Sequence, residues 1–101
     1  MELKIESSQN EVLITVKGDV NYDNSQDFYN EVMRAIQKEN PLIKIDLSGC
    51  KFLSSNGIGT IAAAATVSKS RGGELVVTGL DSNVRHLFKI TLLDSIVDIS
   101  D

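Results

Sequence analysis

Apolar residues recur two apart at Leu3 and Ile5 and again at Val12, Ile14 and Val16, with Glu, Lys and Thr mostly between them. A period of two is the mark of strands with one wet face. The polar Ser7-Ser8-Gln9-Asn10 between the runs is short, which predicts an antiparallel hairpin, and Gly18 stops the second strand. The period then lengthens. Phe28, Val32, Ala35 and Ile36 stand at i, i+4, i+7 and i+8 and predict an amphipathic helix of about four turns, capped by Asp23, Asn24 or Ser25 and ended by Pro41.

Leu42-Ile43-Lys44-Ile45-Asp46-Leu47 reads as a mostly apolar and therefore central strand. Ser55 or Asn56 can cap a second helix with Ile58, Ile61, Ala62 and Ala65 on one face and Arg71-Gly72-Gly73 as its exit. Its run Ala62-Ala63-Ala64-Ala65 is slim enough to lie close to a sheet. Leu75-Val76-Val77-Thr78 is a further strand, and Asp81-Ser82 caps a short third helix burying Val84, Leu87 and Phe88. Ile96-Val97-Asp98-Ile99 adds an edge strand or packs as a tail. The order ββαβαβα, with a weak terminal β, gives the fold class: a single α/β domain over residues 1–101, with helices packed on a mixed sheet of four to five strands.

Charge narrows the function. Fourteen acidic side chains against ten basic ones leave a net charge of -4, which opposes a phosphate backbone, so no nucleic acid partner is expected. The N-terminal segment Met1-Glu2-Leu3-Lys4-Ile5-Glu6 lacks the apolar run of a signal peptide, and the stretch Ile58 to Val67 falls short of the roughly 18 residues of a membrane span. No membrane insertion is expected. The lone Cys50 cannot form an internal bridge and favours a reducing, cytoplasmic setting.

Catalytic constellations are weak. Cys50 and His86 have no close acid to complete a nucleophilic site, and they read as a small buried or turn residue and a partly exposed helix residue. Asp19, Asp23 and Asp27 lack the glycine and terminal glutamate of a calcium loop, so no metal is assigned. Gly57-Ile58-Gly59-Thr60-Ile61-Ala62 formally fits a dinucleotide fingerprint, but the strand before it ends near Leu47, about ten residues too early for the tight turn that fingerprint needs. Those glycines read instead as allowing close helix approach and a bend. A small nucleotide-binding enzyme is the weakest reading, and neither a catalytic residue nor a cofactor is assigned.

The segment between the central strand and the Ala-rich helix is the most unusual stretch. Ser54, Ser55 and Asn56 cluster at a helix start, where free backbone N–H groups and the positive dipole end collect. Capping alone explains such residues. The alternative is that a hydroxyl here accepts phosphate, since a helix N-terminus stabilises an added dianion while a docked partner would have to bury or repel it.

At this point the sequence resembles the STAS domain family, in particular the bacterial anti-sigma factor antagonists. The resemblance runs over nearly the whole chain. It is carried by Val16-Lys17-Gly18-Asp19-Val20, Asp46-Leu47-Ser48, Phe52-Leu53-Ser54-Ser55-Asn56-Gly57-Ile58-Gly59, Gly72-Gly73-Glu74-Leu75 and Val84-Arg85-His86-Leu87-Phe88. It implies a binding protein, not an enzyme, that sequesters an anti-sigma factor which is also a serine kinase. Phosphorylation by that kinase ends the interaction and a serine phosphatase restores it.

Set in register by Gly57, the family's acceptor falls on Ser55, with Ser54 as the rival. The implied partner surface comprises Ser54, Ser55, Asn56, Gly57 and Ile58 with the loop residues Asp19, Asn21, Tyr22 and Asp23. Ser54 stands where the family usually has Asp, and Asn21 where these antagonists often have another. Those departures favour an alternative within the family, a scaffold or transport-linked STAS domain outside any sigma pathway. A monomer is the expected state.

Overall fold

One row of apolar side chains, Ile5-Ile14-Ile45-Val77-Ile99, crosses the entire sheet from edge to edge. The computed structural model describes residues 1–37 and 42–100. In chain order the elements are β1 (Glu2–Ser7), β2 (Glu11–Lys17), α1 (Ser25–Ala35), β3 (Leu42–Gly49), α2 (Ser55–Ser70), β4 (Glu74–Thr78), α3 (Ser82–Ile90), a 3-10 turn (Leu93–Ser95) and β5 (Asp98–Ser100). The five strands lie in the order β1-β2-β3-β4-β5. β1 and β2 form the expected antiparallel hairpin, and every later neighbour is parallel.

Beside the apolar row runs a polar one, Lys4-Thr15-Asp46-Thr78-Ser100, on the opposite face. Side chains alternate across a strand, so the two rows report a sheet with one dry and one wet side. Val12, Ile14, Val16, Ile43, Ile45, Leu47, Leu75 and Val77 are all buried, whereas Lys44 and Glu11 pair at 3.3 Å on the wet side. Connections between parallel neighbours are right-handed as a rule, which puts the three helices on one face, and their buried residues join the dry-face side chains in one cluster. There Phe28 and Val32 of α1, Ile61, Ala64 and Ala65 of α2, and Val84 and Phe88 of α3 complete the core. Each large apolar side chain so buried contributes about 1.5–3 kcal/mol before entropy is counted.

Several boundaries differ from the sequence reading. α1 has 11 residues, about three turns rather than four. Asn24 is its N-cap residue but makes no capping bond, because its side chain is turned back into the preceding loop. There its Oδ1 accepts from the Asn21 N–H at 2.9 Å and its Nδ2 donates to the Asp19 carbonyl at 3.1 Å. α1 is already over at Ala35, and Pro41, the expected terminator, lies outside the described residues.

Ser54 caps α2, not Ser55 or Asn56. At the other end of α2, Arg71 is the C-cap as expected, and its guanidinium donates to the Ile36 carbonyl at the end of α1. Asp81 caps α3 as expected, accepting from the Asn83 N–H at 2.8 Å, while Leu87 is only half-buried. Ile96 is exposed after the 3-10 turn, so β5 begins two residues later than the apolar run suggested.

Candidate functional site

Two loops meet at the C-terminal end of the parallel strands. Backbone bonds run between them from Gly18 N–H to the Gly49 carbonyl at 2.9 Å, from Val20 N–H to Phe52 at 3.0 Å, and from Ser54 N–H to Val20 at 2.8 Å. The Lys51 N–H donates to Asp19 Oδ1 at 2.9 Å. Val20 and Leu53 thereby form a short parallel bridge with both side chains buried. Cys50 is sealed beneath the junction, its Sγ donating to the Phe52 carbonyl at 3.2 Å, and burial pushes its thiol up from the ordinary value.

This ladder decides which residue starts the helix. Pinned by Val20, Ser54 keeps an extended backbone (φ -66°, ψ 167°), and its Oγ accepts from the Gly57 N–H at 3.1 Å. Its carbonyl accepts the first helical bond, from Ile58 N–H at 2.9 Å. Only 8% of Ser54 is exposed. Ser55, one residue on, is the first helical residue and stands in solvent with Asn56. A side chain at Gly57 would meet Val20 Cγ1 at 3.0 Å, so any larger residue there would press on the buried half of the bridge.

The residues picked from the sequence therefore divide. Ser54, Gly57 and Ile58, read as part of the contact surface, are buried and serve the cap, the close packing and the core. Ser55, Asn56, Asp19, Asn21, Tyr22 and Asp23 are exposed. Asp19 is tied to the segment before α2, and Asn21 Oδ1 accepts from the Asn24 N–H at 3.0 Å, closing the loop on itself. Tyr22 and Asp23 project from the tip of that loop, where the Tyr22 carbonyl accepts from Ser25 Oγ at 3.0 Å.

Beside Ser55 opens a shallow groove of about 350 Å³ between α1 and α2, lined by Ser25, Gln26, Tyr29, Ser55, Asn56, Gly59 and Thr60. None of these side chains is charged. The sequence reading missed the groove's α1 wall. The signal was there in Gln26 and Tyr29, which flank the buried Phe28 on the polar side of the helix, but nothing in the sequence said that this side faces α2. Among the described residues no group of three His, Cys, Asp or Glu could hold a metal ion, and no helix is long and apolar enough to cross a membrane.

Compared with known families, residues 2–101 match the model of the STAS domain. The chain belongs to the STAS domain family. An anti-sigma-B factor antagonist of Listeria monocytogenes is 34% identical to this STAS domain over 64 residues, 63% of this chain, and the match spans only 56% of that relative. One from Bacillus subtilis is 23% identical over 100 residues, covering 99% of this chain and 91% of the other.

Among solved structures, the unphosphorylated anti-sigma factor antagonist SpoIIAA shares the STAS fold at a TM-score of 0.84 and 17% identity, over 99% of this chain and 89% of the other. The phosphorylated form of the Bacillus protein gives 0.76 at 16% identity, over 99% and 92%.

Proposed function

We propose that this STAS domain is an anti-sigma factor antagonist switched by phosphorylation at Ser55. Unmodified, it binds an anti-sigma factor that is also a serine kinase, in the cytoplasm, and so frees a sigma factor for transcription. The kinase transfers the γ-phosphoryl group of ATP to Ser55 Oγ, the hydroxyl proton leaving to a base on the kinase and ADP departing. The partner then dissociates, and a serine phosphatase restores the hydroxyl. The domain is a substrate of both enzymes and is not itself an enzyme.

The observation that carries this reading is the contrast between two adjacent hydroxyls. Ser55 is exposed at the first residue of α2, while Ser54 Oγ is occupied in capping and buried. The names borne by the Listeria and Bacillus relatives support the same role.

The departures from the family pattern are compatible with it. Ser at 54 still supplies the oxygen that an Asp would offer the helix N-terminus, and Asn21 still closes its loop through Asn24.

The chemistry of release follows from charge. A phosphoserine carries about -1.5 to -2 charges, which the N–H groups and dipole of the first turn of α2 stabilise, so the fold survives. A partner seated over the uncharged groove would have to desolvate that dianion without a cation from this chain among the groove's lining residues.

Ser55→Asp is expected to leave the circular dichroism spectrum unchanged and weaken binding, and Ser55→Ala to bind but take up no phosphate. Phosphate incorporation that persists in Ser55→Ala and vanishes in Ser54→Ala would refute the assignment. Recovery of only transporter subunits in a pull-down would favour the transport-linked alternative.

A further inference from the structure

The apolar row that crosses the sheet is closed at one end and open at the other. Ile14, Ile45 and Val77 are fully buried and Ile99 is partly covered, but Ile5 on β1 is 40% exposed. β1 is an edge strand of six residues, while β5 at the far edge has three. Edge strands are commonly kept from pairing by proline, a bulge, an inward-pointing charge or extreme shortness. β1 has none of these. Its register with β2 runs unbroken from Glu2 to Ser7, and its dry-face residues are Leu3, Ile5 and Ser7. Its charges lie on the wet face, where Lys4 pairs with Glu6 at 3.5 Å.

The hairpin shows which backbone groups face outward. The Ser8 N–H donates to the Glu11 carbonyl at 2.8 Å, so that pair is hydrogen-bonded, and such pairs alternate along an antiparallel ladder. Glu6, Lys4 and Glu2 therefore turn their amides and carbonyls toward β2. Those of Ser7, Ile5 and Leu3 point away from the sheet, and among the described residues no strand takes them up.

A second copy can take them up in antiparallel fashion about a two-fold axis. The two dry faces coincide only when odd-numbered residues stand opposite odd-numbered ones. An axis at Lys4 would set Lys4 against Lys4 and Glu2 against Glu6, like charges throughout. An axis at Leu3 would leave Ile5 opposite Met1, outside the strand. An axis at Ile5 sets each Lys4 against Glu6 of the second copy, each Leu3 against Ser7, and the two Ile5 side chains against each other. Every outward group from Leu3 to Ser7 is then paired. A recess of about 260 Å³ over Ile5, bounded by Glu31, Arg34 and Ala35 of α1, leaves room for the second isoleucine.

We propose that β1 is a homodimer interface, pairing with β1 of a second copy about a two-fold axis at Ile5 and joining two five-stranded sheets into one. This replaces the monomer expected from the sequence. The interface is small, so association is weak and depends on concentration. The groove beside Ser55 is lined from α1 by Ser25, Gln26 and Tyr29, on the opposite side of that helix from Glu31, Arg34 and Ala35. A dimer therefore presents two such grooves at once, and the proposal does not depend on phosphorylation of Ser55.

Sedimentation velocity of the full chain from micromolar to near-millimolar concentration is expected to show a monomer–dimer equilibrium. Over the same range, hydrogen exchange at the amides of Leu3, Ile5 and Ser7 should slow, while those of Lys4 and Glu6, already bonded to β2, should change little. Lys4→Glu and Glu6→Lys, both at exposed positions, should each weaken dimerisation roughly tenfold or more, and the doubly reversed chain should recover it. A chain that stays monomeric throughout would overturn the proposal. So would a dimer that withstands both single reversals, or a double reversal that restores nothing, since either result places the contact elsewhere or in another register.

Discussion

The carboxylate of Asp19 accepts a hydrogen bond from the backbone N–H of Lys51 at 2.9 Å, across 32 positions of sequence. It ties the loop after β2 to the segment leading into α2 and so helps set where Ser54 and Ser55 stand. A carboxylate bond to an amide at an exposed junction is worth about 1 kcal/mol or a little more.

Asp19→Ala is accordingly expected to lower stability by about 1 kcal/mol and to speed hydrogen exchange at the Lys51 amide. Asp19→Asn, which keeps a carbonyl acceptor, should lose less. Exchange at Lys51 that is unaltered in the alanine variant would mean that the junction does not depend on this bond.

The two adjacent serines should separate cleanly in urea denaturation. Ser54→Ala removes the cap of α2 and is expected to cost about 1 kcal/mol, within the usual range of 0.5–2. Ser55→Ala removes an exposed hydroxyl with no capping bond and should change stability by less than about 0.5 kcal/mol. Equal costs for the two would contradict the capping assignment.

Cys50 yields a prediction in pH. Burial raises its pKa in the folded state, so the folded protein holds the thiol proton more tightly than the unfolded chain does. The associated stability is fully present below about pH 8.5, the ordinary thiol value, and is lost as pH climbs toward the folded value. Relative to Cys50→Ala, the wild type should therefore lose stability in urea melts as pH rises above the ordinary thiol value. Parallel pH profiles for the two proteins would show that the thiol is not held in its neutral form by the fold. The native thiol should also resist alkylation at neutral pH until the chain unfolds.

What could be read from the sequence was what depends on local period. Val12-Ile14-Val16 and the hairpin were plain, and so was the exit of α2 at Arg71-Gly72-Gly73. What could not be read depended on a distant partner. Ser54, Ser55 and Asn56 are all good caps, and the choice fell to the Val20–Leu53 bridge, which holds Ser54 extended. Asn24 looked like a cap for the same reason, but the loop carbonyl of Asp19 and the amide of Asn21 claimed its side chain.

In β3, the apolar letters of Leu42 to Leu47 pointed to a central strand, and it is the middle one of the five. Lys44 and Asp46 were the sign of a wet side. The groove beside Ser55 needs the packing of α1 on α2, which no window of sequence contains.

Because the spatial order of the strands repeats their order along the chain, every new strand joins a free edge, and none has to be threaded between two already paired. The loops around Ser55 are complete only once β3 has docked on β2. The candidate site is thus drawn from β2, α1, β3, α2 and the loops between them, with β4 and β5 added to the sheet on the far side of β3.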